Sequence, residues 1–221
     1  VDAYNVAVGF KAGVLVSTGV QNTLIGGEAG DALTTGSYNI ALGFRALSAE
    51  DTGGNSTSIG YYALSKQNND GNNYNIAVGH SSGAEITTGT NNILLGGLSG
   101  GSLVGGSANV AIGTQALFTE DGHGRNVAIG YEALKVQNAG ADAYNVAIGY
   151  TAGMAMTTGI NNVLIGGLAG DALTVGSYNV AIGHEALSNE DTGTRSVAIG
   201  WAALKRQNYN GEALNVAIGH L

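Results

Sequence analysis

The chain contains no cysteine and no proline. Without cysteine it can form no disulfide, thiolate nucleophile or thiolate metal centre. Without proline or a Gly-X-Y period it cannot be collagen, although glycine supplies 38 of its 221 residues. Charge is sparse: Asp and Glu outnumber Lys and Arg 16 to 8, and the formal charge is −8. Such a surface repels phosphate backbones and anionic lipid, so nucleic acid is not expected as a partner. No apolar run approaches the ~18 residues of a membrane-spanning helix, so no membrane insertion is expected. No Gly-Lys-Ser/Thr follows any glycine-rich stretch, which excludes a phosphate loop.

What is present is a repeat. The signal Asn-(Val/Ile)-Ala-(Ile/Val)-Gly ends at Gly9, Gly26, Gly43, Gly60, Gly79, Gly96, Gly113, Gly130, Gly149, Gly166, Gly183, Gly200 and Gly219. Successive gaps are 17, 17, 17 and 19 residues, and this cycle of 70 runs three times. A fixed short period means a solenoid, in which each unit buries its apolar face on its neighbours. The fold expected is all-β: a parallel β-solenoid with 17-residue rungs. It forms one domain over 1–221, with super-repeats at 5–74, 75–144 and 145–214 and the start of a fourth. A chain entering and leaving inside its own pattern is expected to be a segment of a longer fibre. Seventeen residues at about 3.3 Å each allow a perimeter of at most ~56 Å, a thin flattened roll.

Positions within a rung divide by parity. The residues one and three before each closing glycine are aliphatic, apart from Thr23 and Thr57. They share one strand face, and that face is expected to line the interior. The position between them is Ala, Ser58, or Leu24, Leu94 and Leu164. This small apolar face is expected to point outward and to receive the same strand of a neighbouring subunit.

Four before the glycine stands Asn5, Asn22, Asn39, Asn75, Asn92, Asn109, Asn126, Asn145, Asn162, Asn179 and Asn215, with Ser56 and Ser196 in the two remaining rungs. Stacked rungs would bring these amides into a ladder. Alternatively, each Asn only opens its strand at a turn. The two extra residues of every fourth rung fall in a polar stretch such as 67–73, where insertions are tolerated.

At Asn126 to Ala133 and Asn145 to Ala152 the string Asn-Val-Ala-Ile-Gly-x-x-Ala resembles the head repeats of YadA-like trimeric autotransporter adhesins. The longer unit, with Thr-Thr-Gly and Asn-Asn-Val-Leu-Ile-Gly-Gly, is similar to repeats of bacteriophage tail fibres. The resemblance implies a left-handed β-roll, a side-by-side homotrimer, and a place in an extracellular surface appendage or virion. The chain departs from the adhesin pattern in its longer rungs and its 70-residue super-repeat.

No catalytic constellation is found, so neither an enzyme nor a cofactor is expected, and no metal site is assigned. Glu50-Asp51, Glu120-Asp121 and Glu190-Asp191 recur in turns, with Lys66, Lys135 and Lys205-Arg206 one rung on. Exposed inter-rung ion pairs are the first expectation, and calcium binding by these acids the second. The position after the closing glycine carries a column of rings that includes His80, His184 and His220. In it Tyr61, Tyr131 and Trp201 recur every 70 residues and are the candidate glycan contacts. The expected function is a fibre or adhesin shaft that presents or provides host attachment. Its expected partners are copies of itself and a cell-surface glycan or protein receptor. Carbohydrate binding along the shaft is the alternative. Ice binding through Thr34-Thr35, Thr87-Thr88 and Thr157-Thr158 is disfavoured, because Glu-Asp pairs and Val175 interrupt the column.

Overall fold

A computed structural model describes residues 3–221. Thirteen three-residue strands, one per rung, form a single parallel sheet in strict sequence order: β1 (Val6–Val8), β2 (Thr23–Ile25), β3 (Ile40–Leu42), β4 (Thr57–Ile59), β5 (Ile76–Val78), β6 (Ile93–Leu95), β7 (Val110–Ile112), β8 (Val127–Ile129), β9 (Val146–Ile148), β10 (Val163–Ile165), β11 (Val180–Ile182), β12 (Val197–Ile199) and β13 (Val216–Ile218). The described residues contain no helix, and so none that could cross a membrane. Register is constant: Ile112 pairs with Ile129, and Ile129 with Ile148 across a 19-residue step. The extra two residues are absorbed in the polar turn without shifting the strand.

The remaining sides of the rung are not strands, yet their amides also bond from rung to rung. Gly83 N–H donates to Ser99 O at 3.0 Å, Leu117 N–H to Ala133 O at 3.0 Å, and Thr157 N–H to Thr174 O at 2.8 Å. Backbone polar groups inside so thin a coil are satisfied by these inter-rung bonds and by polar side chains. The corners are left-handed. The residue preceding each ladder position has φ between 51° and 64°, and it is rarely glycine-like: Tyr38, Tyr74, Arg125, Tyr144, Tyr178 and Arg195 all sit there. Stacking must over-determine this geometry, since each such residue costs about 1–2 kcal/mol.

One expectation is reversed. The Val and Ile positions do not line the interior. In β7 to β12 the middle residue is fully buried and its aliphatic neighbours are only partly covered; in β3 Ile40 and Leu42 are each 41% exposed while Ala41 is 0%. Space explains the inversion. Across the roll the strand meets the small residue three after the closing glycine (Ala46, Ala63, Ala116, Ala133) and, beside it, Leu47, Leu64, Leu117 and Leu134, all at 0–1% exposure. Two large side chains per strand would overfill that gap.

Where the strand centre is Leu, the chain compensates opposite. A Cβ on Gly13 would lie 2.6 Å from Leu24 Cδ1, and one on Gly30 2.9 Å from Leu24 Cδ2. The same exchange links Leu94 with Gly83 and Gly100, and Leu164 with Gly153 and Gly170.

Candidate functional site

Three columns run along the rod. The first is the asparagine ladder. Asn22 Oδ1 accepts the Asn39 backbone N–H at 2.9 Å, and Asn22 Nδ2 donates to Gly36 O at 2.9 Å. Asn145 and Asn162 repeat the pattern, with Asn162 N–H to Asn145 Oδ1 at 2.8 Å and Asn145 Nδ2 to Gly159 O at 2.7 Å. Asn5, Asn75, Asn92, Asn109, Asn126 and Asn179 accept likewise from the next rung. Asn215, in β13's rung, donates to Gln207 Oε1. Each amide so joins two rungs at the strand entrance, and its main link is side chain to backbone rather than amide to amide.

The second column holds the rings. Tyr61 lies between Phe44 and His80, with centroids 5.7 and 5.3 Å away and planes tilted by 22° and 9°. Tyr131 stacks on Tyr150 at 5.6 Å, and Trp201 on His220 at 4.6 Å. The three candidate glycan contacts are brought into one exposed column but not together, since each belongs to a separate stack. Those stacks run along the axis, so the ring faces meet one another and the edges meet solvent.

The third column was not anticipated. Seven residues after the closing glycine, the core position reads Val16, Leu33, Glu50, Gln67, and the cycle repeats as Ile86, Leu103, Glu120, Gln137 and Met156, Leu173, Glu190, Gln207. Glu50, Glu120 and Glu190 are therefore buried, not exposed. They take no lysine partner: Lys66 pairs with Glu85, Lys135 with Glu132 and Lys205 with Glu185. Around Glu50, Gly53 N–H donates to Oε1 at 2.7 Å, while Gln67 Nε2 and Asn73 Nδ2 donate to Oε2 at 3.0 and 2.9 Å. Burial pushes the Glu50 and Glu120 carboxyls above the ordinary carboxylate range, against the pull of their hydrogen bonds. The signal for this column was present in the register, because acids at 70-residue spacing share their slot with Leu33 and Leu103. Charge type concealed it.

Apart from these columns, the outward face of the sheet runs thirteen rungs long and two side chains wide, aliphatic except at Thr23 and Thr57. No family model, curated protein or solved structure matches the chain.

Proposed function

We propose that this protein is a structural fibre or adhesin shaft. In this reading three copies lie side by side with their aliphatic stripes turned to a common axis, in an extracellular appendage or virion, where the shaft presents or provides attachment to a host glycan or protein receptor. The observation that carries it is the exposed stripe. Parallel sheets are ordinarily covered on both faces. Here Ile40, Leu42, Ile76 and Ile93, in rungs flanked on both sides, stand 38–41% exposed on a single chain, and the same positions of β7 to β12 are partly exposed. Thirteen strands at about 4.8 Å make that stripe roughly 58 Å long and about 10 Å wide. Contiguous apolar surface of this order marks an interaction site. Its regular spacing matches another copy of itself better than an irregular partner. The number three follows from the resemblance to trimeric adhesin heads.

The test is mass in solution. Analytical ultracentrifugation should give three times the 22.1 kDa chain. The double variant Ile112→Asp, Ile148→Asp should sediment as a monomer. A wild-type monomer at tens of micromolar would overturn the reading. Carbohydrate binding is the second reading, favoured by the half-exposed rings of Tyr61, Tyr131 and Trp201. A glycan array on which Tyr131→Ala and Trp201→Ala change nothing removes it.

A further inference from the structure

The three super-repeats serve as internal controls for one another, and the central one differs at the buried acid. In the first and third, the residue three after the acid is glycine, Gly53 or Gly193. There is no room for more: a Cβ would lie 2.6 Å from Glu50 Oε1, or 2.5 Å from Glu190 Cδ. In the central repeat the same position is His123. Both oxygens of Glu50 are bonded. Those of Glu190 are bonded too, by Gly193 N–H at 2.7 Å, Gln207 Nε2 at 2.8 Å and Tyr209 N–H at 3.2 Å. Glu120 Oε1 accepts the His123 N–H at a longer 3.2 Å, and the backbone of Ala139 also donates to the carboxylate. Its Oε2 has no hydrogen-bond partner although the residue is 0% exposed, and the Gln137 Nε2 that would match the Gln67 and Gln207 donors is left without an acceptor. The repeat that carries histidine in place of the glycine is thus the one whose buried acid and glutamine are not joined.

Beside this carboxylate stand two further side chains able to ligate a metal. One ligand atom each of Glu120, Asp121 and His123 lie within 4.8 Å of one another. His123 Nδ1 is buried, without a hydrogen bond, and 3.7 Å from Glu120 Oε1. The neighbouring cation, Arg125, is engaged by Asp142 at 2.7 Å and by Tyr144. A buried carboxylate oxygen needs a positive or donating partner, and neither Glu120 Oε2 nor the His123 Nδ1 beside the carboxylate has one. We propose that Glu120, Asp121 and His123 bind a divalent transition-metal ion, with zinc as the best match. Two carboxylates and an imidazole suit zinc, whereas calcium prefers oxygen ligands alone. Zinc ligands lie about 2.0–2.2 Å from the ion, hence up to ~4.2 Å apart. Asp121 is exposed and His123 partly so, and they can close that difference by side-chain rotation.

All three ligands belong to one chain, so the site does not depend on assembly. Calorimetric titration of the full chain with zinc chloride should saturate at one ion per chain, and cobalt(II) should develop a visible d–d band. His123→Gly, which installs the glycine of the other two repeats, should lose both signals while keeping the wild-type circular dichroism. His184→Ala should keep both. Absence of saturable binding, or equal binding by His123→Gly, would overturn the proposal and leave the orphaned oxygen to an internal water.

Discussion

The closing glycine is the residue on which stacking turns. Its φ lies between 128° and 143°, and a Cβ on Gly113 would stand 2.3 Å from the carbonyl oxygen of Gly130 in the next rung. That oxygen is backbone of an adjoining coil and cannot rotate away. Gly113→Ala should therefore cost more than about 3 kcal/mol, combining a disfavoured dihedral with a clash. Gly122 has nothing within 4 Å of its Cβ position and no positive φ. Gly122→Ala should stay within about 0.5 kcal/mol of wild type. Urea unfolding of the two variants is the check, and equal losses would refute the close-approach account. The sequence displayed this position plainly, because only glycine satisfies both constraints and so it recurs in every rung.

At the level of the rung, what governs is how few large side chains fit inside. The inner polar pair Glu50–Gln67 takes the place that Leu33 and Ile86 occupy in other rungs, so every fourth step carries an acid in its core. Burial holds the Glu50 carboxyl above its ordinary value of 4.5, with the Gln67 and Gly53 hydrogen bonds opposing. The folded chain then binds that proton more tightly than the unfolded chain. The group contributes most to stability below the unfolded value and progressively less as pH rises through the folded one. Between pH 4.5 and 7, wild type should lose stability relative to Glu50→Gln as pH rises. Parallel curves would refute the assignment. Strand position, register and the two-residue turn insertion were legible from glycine spacing alone. The facing of the strand was not, because Val-Ala-Ile is apolar on both faces and alternation cannot orient such a segment. Volume decided it, through Leu47 and Leu117 already filling the roll.

Across the whole molecule, stability is a sum over neighbouring rungs plus whatever covers the stripe. Most rungs add one small inward residue at the strand centre, such as Ala111 or Ala128, and leave its two flanking aliphatics partly in water, such as Val127 and Ile129. An isolated rod so leaves a long row of mostly aliphatic side chains partly in water, and covering it is worth about 25 cal/mol per Å². Assembly through that face would make folding and association one linked equilibrium. The melting temperature should then rise with protein concentration, because mass action favours the species that buries the stripe. Differential scanning calorimetry over a hundredfold concentration range measures this. With Ile112→Asp, Ile148→Asp the melting temperature should be lower and independent of concentration. A wild-type melting temperature that is also independent of concentration would mean that thirteen stacked rungs hold together with the aliphatic face in water.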